Sequence, residues 1–323
     1  MTNRITERVA LGMALASGIA GAAASDVTIS GYGRTGVIYY ESGMPNENET
    51  QIVGRLRLNI DASTSTDHDL DFGARLRVQW DQGSSTRGDA AATNAGKLWV
   101  SSNGFTIEVG NIDTAFHSTG LRSAPQLGAF DRSVGFNDLV KGFFAYDSDS
   151  YALADYVGVG LTYSVDDLTV RASYVDPSQS GENEGDGFAE EFGMSVDYTW
   201  QDRLELSAGY VMDGAGIKDN DQVLLGARYA VMDNARIGMN YYSTEDWVTG
   251  DTMALYGDYS LADGLTNLEA YAARNDSDWS GKETDYAFGI GVNHDLGGVR
   301  LGASLQRDYD ERVSADMGVR FDF

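Results

Sequence analysis

The chain has 323 residues and a formal net charge of −26 at pH 7, with 49 acidic against 23 basic side chains. This acidity excludes nucleic acid as a partner, because a phosphate backbone requires a basic surface. The sequence holds no cysteine, which excludes disulfides and thiolate metal sites.

Residues 1–24 are typical of a secretory signal peptide. Two arginines precede a short apolar run, and alanines at 22–24 provide small residues for cleavage. The apolar run is shorter than the ~20 residues that a membrane-spanning helix needs. We therefore expect export, a mature chain that starts at Ser25 or Asp26, and one domain over 25–323.

After this leader, apolar and polar residues alternate with a period of two, which predicts strands with one apolar and one polar face. In the run 105–112, for example, Phe105, Ile107 and Val109 share one face. The sixteen predicted strands are 27–40, 51–63, 70–82, 94–102, 105–112, 156–165, 168–175, 188–200, 204–212, 221–231, 235–243, 251–261, 265–275, 284–295, 299–308 and 314–323.

One-sided strands satisfy two all-β architectures. A soluble sandwich turns its apolar faces inward, whereas a transmembrane barrel turns them outward to lipid and keeps a wet interior. The even number of strands, their length of about ten residues, and long and short joins that alternate along the chain all favour the barrel. Aromatic residues at many strand ends are typical of the lipid–water boundary.

The alternation stops over 113–155, the longest interval without a predicted strand. This segment is rich in aromatic residues and also carries acidic ones. Connections longer than about 15 residues inside a compact domain are uncommon and usually functional. Because the segment is too apolar to remain in water, we expect it to fold back onto the barrel wall.

The mature start VTISGYGRTGVIYY, the long insertion after the fifth strand and the final SADMGVRFDF ending in Phe323 resemble the general diffusion porins of Gram-negative bacteria, the alphaproteobacterial type in particular. The resemblance implies a sixteen-stranded antiparallel transmembrane β-barrel whose long third loop folds into the lumen. It also implies a homotrimer in outer-membrane lipid. The implied function is a water-filled channel for passive diffusion of small hydrophilic solutes and ions.

A set of arginines has the strand parity opposite to that of its apolar neighbours, so these side chains should face the lumen. Directly opposed residues on adjacent strands lie about 5 Å apart, and like charges that close repel. A nearby counter-charge is therefore expected, although the same arginines could also solvate a wide lumen. The set is Arg34, Arg55, Arg57, Arg75 and Arg77.

The acids of the long segment are the candidate counter-charges, with Asp113, Asp131 and Asp138 favoured. The resemblance implies that a basic wall and an acidic loop face each other across a constriction. Because acids outnumber bases overall, we expect a mild preference for cations.

We expect no cofactor, although a calcium ion at Asp147 and Asp149 is an alternative to a solvated loop. His117 beside Ser118, with Asp113 nearby, does not predict a hydrolase, because such adjacency gives no triad geometry and no G-x-S-x-G turn is present. Two further alternatives are a substrate-preferring porin and a structural or adhesive barrel with a plugged lumen.

Overall fold

The computed structural model describes residues 26–41, 48–82, 91–93, 96–137, 145–148, 156–181, 187–244 and 250–323. The predicted signal peptide at 1–24, together with Asp138 and Asp149, lies outside these ranges. Within them, no helix combines the length and apolar character needed to cross a membrane.

The described secondary structure consists of antiparallel strands and one short 3-10 turn at Gly214–Gly216. The strands are β1 (Asp26–Tyr40), β2 (Thr50–Ser65), β3 (Asp71–Gln82), β4 (Ala92–Thr93), β5 (Lys97–Ser102), β6 (Phe105–Gly110), β7 (Val157–Val165), β8 (Leu168–Asp176), β9 (Glu191–Trp200), β10 (Leu204–Met212), β11 (Gln222–Met232), β12 (Ala235–Thr244), β13 (Thr252–Ser260), β14 (Thr266–Asn275), β15 (Tyr286–Asp295), β16 (Val299–Arg307) and β17 (Val313–Asp322).

These strands close into a barrel, because β1 pairs with β17 on one side and with β2 on the other. The short β4 and the longer β5 both pair with β3, opposite Val78 and Ala74 respectively. They therefore occupy one strand position of the barrel wall. The barrel wall therefore has sixteen strand positions, which confirms the predicted strand number. The bounds of the strand predicted at 94–102 differ, since β5 begins at Lys97 and the short β4 precedes it.

The two faces of the wall have opposite character. Ile52, Met194 and Met317 are exposed by 61–68%, whereas Gln222 and Asn240 on the alternate face are fully buried. Most of the large apolar side chains of the described strands thus point outward, and polar ones such as Gln222 and Asn240 point inward. This arrangement excludes the sandwich, in which apolar faces would meet in a dry interior.

Tight turns set the register between neighbouring strands. Asn103 and Gly104, which join β5 to β6, have φ angles of 49° and 82°. Positive φ at both central residues is the requirement of the two-residue hairpin whose twist matches the strands. Gly297 and Gly298 adopt positive φ in the same way between β15 and β16.

Candidate functional site

The described parts of the long segment, 113–137 and 145–148, pack against the inner face of the wall. Phe116, Leu127 and Phe136 are each exposed by no more than 2%. They belong to one buried cluster that includes Tyr242 and Tyr271 from the wall. The expectation that this apolar segment folds back onto the wall is confirmed.

Backbone amides of the segment donate to inner-face side chains of many strands. Where the N–H group is buried, as at Ala115, Leu121 and Gly135, the bond replaces the hydrogen bond to water that the group would otherwise lose. The bonds are Ala115 N to Ser173 Oγ (2.9 Å), Gly120 N to Asp197 Oδ1 (2.8 Å), Leu121 N to Ser207 Oγ (3.1 Å), Gly128 N to Glu269 Oε2 (3.0 Å), Val134 N to Gln306 Oε1 (3.0 Å) and Gly135 N to Tyr271 OH (3.0 Å).

The two ends of the segment are joined to each other. Thr114 Oγ1 donates to the carbonyl oxygen of Tyr146 at 2.7 Å, and Ser148 N donates to Asp113 Oδ1 at 2.9 Å. Tyr146 N in turn donates to the buried Glu191 Oε2 at 2.8 Å. Burial raises the pKa of Asp113, but His117 and the hydrogen bond from Ser148 outweigh it, so that the pKa lies below its ordinary value.

Three of the predicted wall arginines have partners on neighbouring strands. Arg55 pairs with Asp81, and Arg75 Nε lies 2.7 Å from Asp61 Oδ1. Arg57 Nε donates to Gln79 Oε1 at 2.6 Å. These partners all belong to the wall, so counter-charges for Arg55 and Arg75 are built into the adjacent strands.

The other two predicted arginines contact the long segment. Arg34 Nη1 donates to the carbonyl oxygen of Phe130 at 2.8 Å. Arg77 Nη1 donates to Ser148 Oγ at 2.6 Å, while its Nε donates to Asn59 Oδ1 at 2.8 Å. Both guanidinium groups therefore lie where wall and segment meet.

Asp131 is paired with two arginines that sequence reasoning did not select. Arg300 Nη2 lies 2.7 Å from Asp131 Oδ1, and Arg320 pairs with the other carboxylate oxygen. Both arginines have inward parity, and this parity could have identified them from the sequence. The register between the last strand and the first, which brings Arg320 opposite Arg34, cannot be read from the sequence.

A cavity of about 280 Å³ separates the wall from the beginning of the segment, and both charge signs line it. Arg57 and Arg77 lie on the wall side, with Asp113, His117 and Asp147 on the segment side. His117 Nδ1 is 3.5 Å from Asp147 Oδ2. Two of the predicted wall arginines, Arg57 and Arg77, and one predicted acid, Asp113, therefore line the same cavity.

Arg122 of the segment contacts His117 beside this cavity. Its Nε donates to the carbonyl oxygen of His117 at 2.8 Å, and its Nη2 lies 3.0 Å from His117 Nε2. Burial lowers the pKa of Arg122 to about 10, against the opposing effect of Asp147 and Asp113. Within the described ranges, no group of three or more acidic or histidine side chains could hold a metal ion.

A closed barrel with an apolar outer face and charged, hydrogen-bonding side chains inside defines a transmembrane β-barrel channel. The comparisons with known proteins are specific. A profile described as Gram-negative porin matches residues 10–312. A protein named porin from Fuscovulum blasticum is 39% identical over 302 residues, which cover 92% of this chain and 100% of that protein.

Solved structures give the same result. A mutant of Rh. blastica porin superposes with a TM-score of 0.83 at 36% identity, covering 92% of this chain and 100% of that chain. A second mutant of that porin has the same TM-score and coverage at 37% identity. The chain belongs to the Gram-negative porin family, and it is an outer-membrane diffusion channel rather than an enzyme.

Proposed function

We propose that the segment 113–137 lies in the lumen and forms the constriction of the pore. This proposal is supported by the number of different strands that the segment contacts. It bonds inner-face side chains of β8, β9, β10, β14 and β16, and it also receives Arg34 of β1. A single short segment reaches strands so widely spaced around a barrel from the inside alone.

Charge at the constriction comes from both sides of the gap. Arg34, Arg57 and Arg77 supply the basic wall, and Asp113 and Asp131 supply the acidic segment. Fixed charges of this kind order water and bias permeating ions.

The overall charge sets the sign of ion selectivity. The remaining predicted wall arginines, Arg55 and Arg75, are already paired with wall carboxylates. The net charge of the chain is −26. The channel should therefore prefer cations mildly, and a reversal potential measured across a KCl gradient would show anion preference if this assignment of charge were wrong.

Single-cysteine variants test the constriction, since the natural chain contains no cysteine. Ser118 lines the cavity between segment and wall. Modification of Ser118→Cys with a charged, water-soluble thiol reagent should lower the unit conductance. Leu98→Cys is the matched control, because Leu98 lies on the outer face with 63% exposure. Complete labelling of Ser118→Cys without any change in conductance would refute the placement.

The mature protein is proposed to be a homotrimer that has lost residues 1–24. The resemblance to general diffusion porins supports the trimer, and the charge and apolar pattern of the leader supports cleavage before Ser25 or Asp26. Light scattering of the detergent-solubilised protein gives the oligomer mass. Mass spectrometry of the N-terminal peptide gives the cleavage site.

The channel is proposed to work without a resident cofactor. Calcium at Asp147 and Asp149 remains the alternative, since carboxylate oxygens are the ligands that this ion prefers. Chelation with EDTA should leave conductance and thermal stability unchanged. A loss of stability that added calcium restores would favour the calcium site instead.

A further inference from the structure

Four arginines of the inner face lie in register across four adjacent strands. Arg300 of β16 is opposite Arg320 of β17, Arg320 is opposite Arg34 of β1, and Arg34 is opposite Arg55 of β2. We call this set the arginine row. Directly opposed like charges destabilise a sheet unless something compensates them.

Among the described residues, carboxylates pair with three members of the arginine row but not with Arg34. Asp131 pairs with Arg300 and Arg320, and Asp81 pairs with Arg55. In the part of the chain that the structure describes, Arg34 makes no ion pair. Its one hydrogen bond is the donation from Nη1 to the Phe130 carbonyl oxygen.

Several guanidinium donors of the row remain for a ligand. Each guanidinium carries five N–H groups, of which Arg34 uses one in the bond to Phe130. Arg55 uses Nε with Asp81 and Nη1 with the Tyr32 hydroxyl at 3.3 Å. At the end of the row, the buried Nε of Arg300 has no hydrogen-bond partner among the residues that the structure describes.

The Tyr32 ring contacts the guanidinium groups of Arg34 and Arg320 of the row, and that of the neighbouring Arg57. The guanidinium carbon of Arg320 lies 4.3 Å from the centre of the Tyr32 ring, that of Arg57 5.5 Å and that of Arg34 6.0 Å. Cations stacked on an aromatic face gain attraction and lose freedom together. The donors are therefore positioned before any ligand arrives.

We infer that the part of the arginine row between Arg34 and Arg55 binds a small oxyanion, namely the phosphate or carboxylate group of a permeating solute. A planar guanidinium matches two oxygens of such a group, which a halide ion cannot offer. The bound anion also compensates the repulsion between Arg34 and Arg55. The inference rests on the proposed function, because the row must be reached from the lumen.

This site gives an acidic channel a specific preference. The chain carries a net charge of −26, so its general field disfavours anions. An oxyanion held at the row is nevertheless retained long enough to compete with other ions for passage. Phosphate-bearing or carboxylate-bearing solutes are then the class whose flux saturates.

The test is single-channel recording of the full-length mature protein in KCl, with inorganic phosphate replacing chloride at constant ionic strength. The wild type should show a current that falls saturably with phosphate. Arg34→Gln should raise the half-saturating concentration about tenfold or more, because one charge-assisted partner is lost. Arg34→Lys should shift it less, since it keeps the charge without the two-pronged geometry.

Arg236→Gln is the matched control. Arg236 lies on the inner face and pairs with Asp258, so this variant also removes one positive charge from the lumen. Its half-saturating phosphate concentration should remain that of the wild type. Acetate, tested in parallel, distinguishes a site that accepts the two oxygens of a carboxylate from one that requires the further oxygens of phosphate.

The outcomes distinguish a failure of the oxyanion site from a failure of the proposed channel function. A wild-type current that changes linearly with phosphate, or equal shifts in Arg34→Gln and Arg236→Gln, overturns the oxyanion site while leaving the channel intact. Discrete, long-lived conductance steps in KCl show that the barrel of each variant has assembled, whatever the size of the steps. A wild type that forms no conducting pore would overturn the channel itself.

Discussion

Replacing Asp131 with asparagine removes the carboxylate that joins the long segment to β16 and β17 while keeping the side-chain shape. A buried charge-assisted hydrogen bond contributes about 1.5–3 kcal/mol. Here the side chains of Asp131, Arg300 and Arg320 keep 23–34% of their exposure. Solvent screening then reduces each pair to about 1 kcal/mol. The loss of both pairs, about 2 kcal/mol, lowers the ratio of docked to undocked segment roughly thirtyfold.

Hydrogen exchange with mass spectrometry measures this ratio directly. Amides of 127–134 in Asp131→Asn should exchange some tens of times faster than in the wild type, with the strands unaffected. Asp233→Asn is the control, because Asp233 is 97% exposed in its pair with Arg203 and should contribute little. Unchanged exchange over 127–134 in Asp131→Asn would refute the view that this carboxylate holds the segment.

Three further changes probe how the segment is held in place, by contacts with the rest of the barrel or within the segment itself. In Gly302→Ala the new Cβ would lie 2.3 Å from Ala129 N, about 1.1 Å short of an ordinary 3.4 Å contact, so the segment must shift. Such overpacking costs about 1–3 kcal/mol, and an altered unit conductance should report the shift. Tyr309→Phe removes the hydroxyl that donates to the Gly135 carbonyl oxygen at 2.8 Å, and thermal unfolding should show a loss of about 1 kcal/mol. Because the pKa of Asp113 is lowered from 3.8, its stabilising effect should persist above that value and fade as the pH falls through the lower folded-state value. Exchange over 113–118 should therefore separate wild type from Asp113→Asn at neutral pH and converge in strong acid.

The parts of the fold that follow from local pattern could be predicted. Period-two alternation identified the sixteen strands of the wall and the face on which their side chains lie, because successive side chains of a strand point to opposite faces. The apolar content of 113–155 was enough to predict the packing on the wall that its described residues, 113–137 and 145–148, show. The short strand β4 was not predicted, since Ala92–Thr93 is recognised as a strand only through its pairing with β3.

The partners within the candidate site could not be predicted, because they depend on closure of the barrel. Arg320 and Arg34 are at opposite ends of the sequence and become neighbours only when β17 pairs with β1. Asp131 was selected as a lumen acid, yet its partner Arg300 requires the path of the whole segment. Parity specifies the face of a residue but carries no information about its height or position around the barrel.

Conductance of the purified protein in a planar bilayer tests the water-filled channel most directly. We expect discrete, long-lived current steps whose size rises in proportion to the conductivity of the KCl solution, since ions would cross in aqueous surroundings. A barrel that inserts into the bilayer but gives no stable steps, as a plugged structural barrel would, contradicts it.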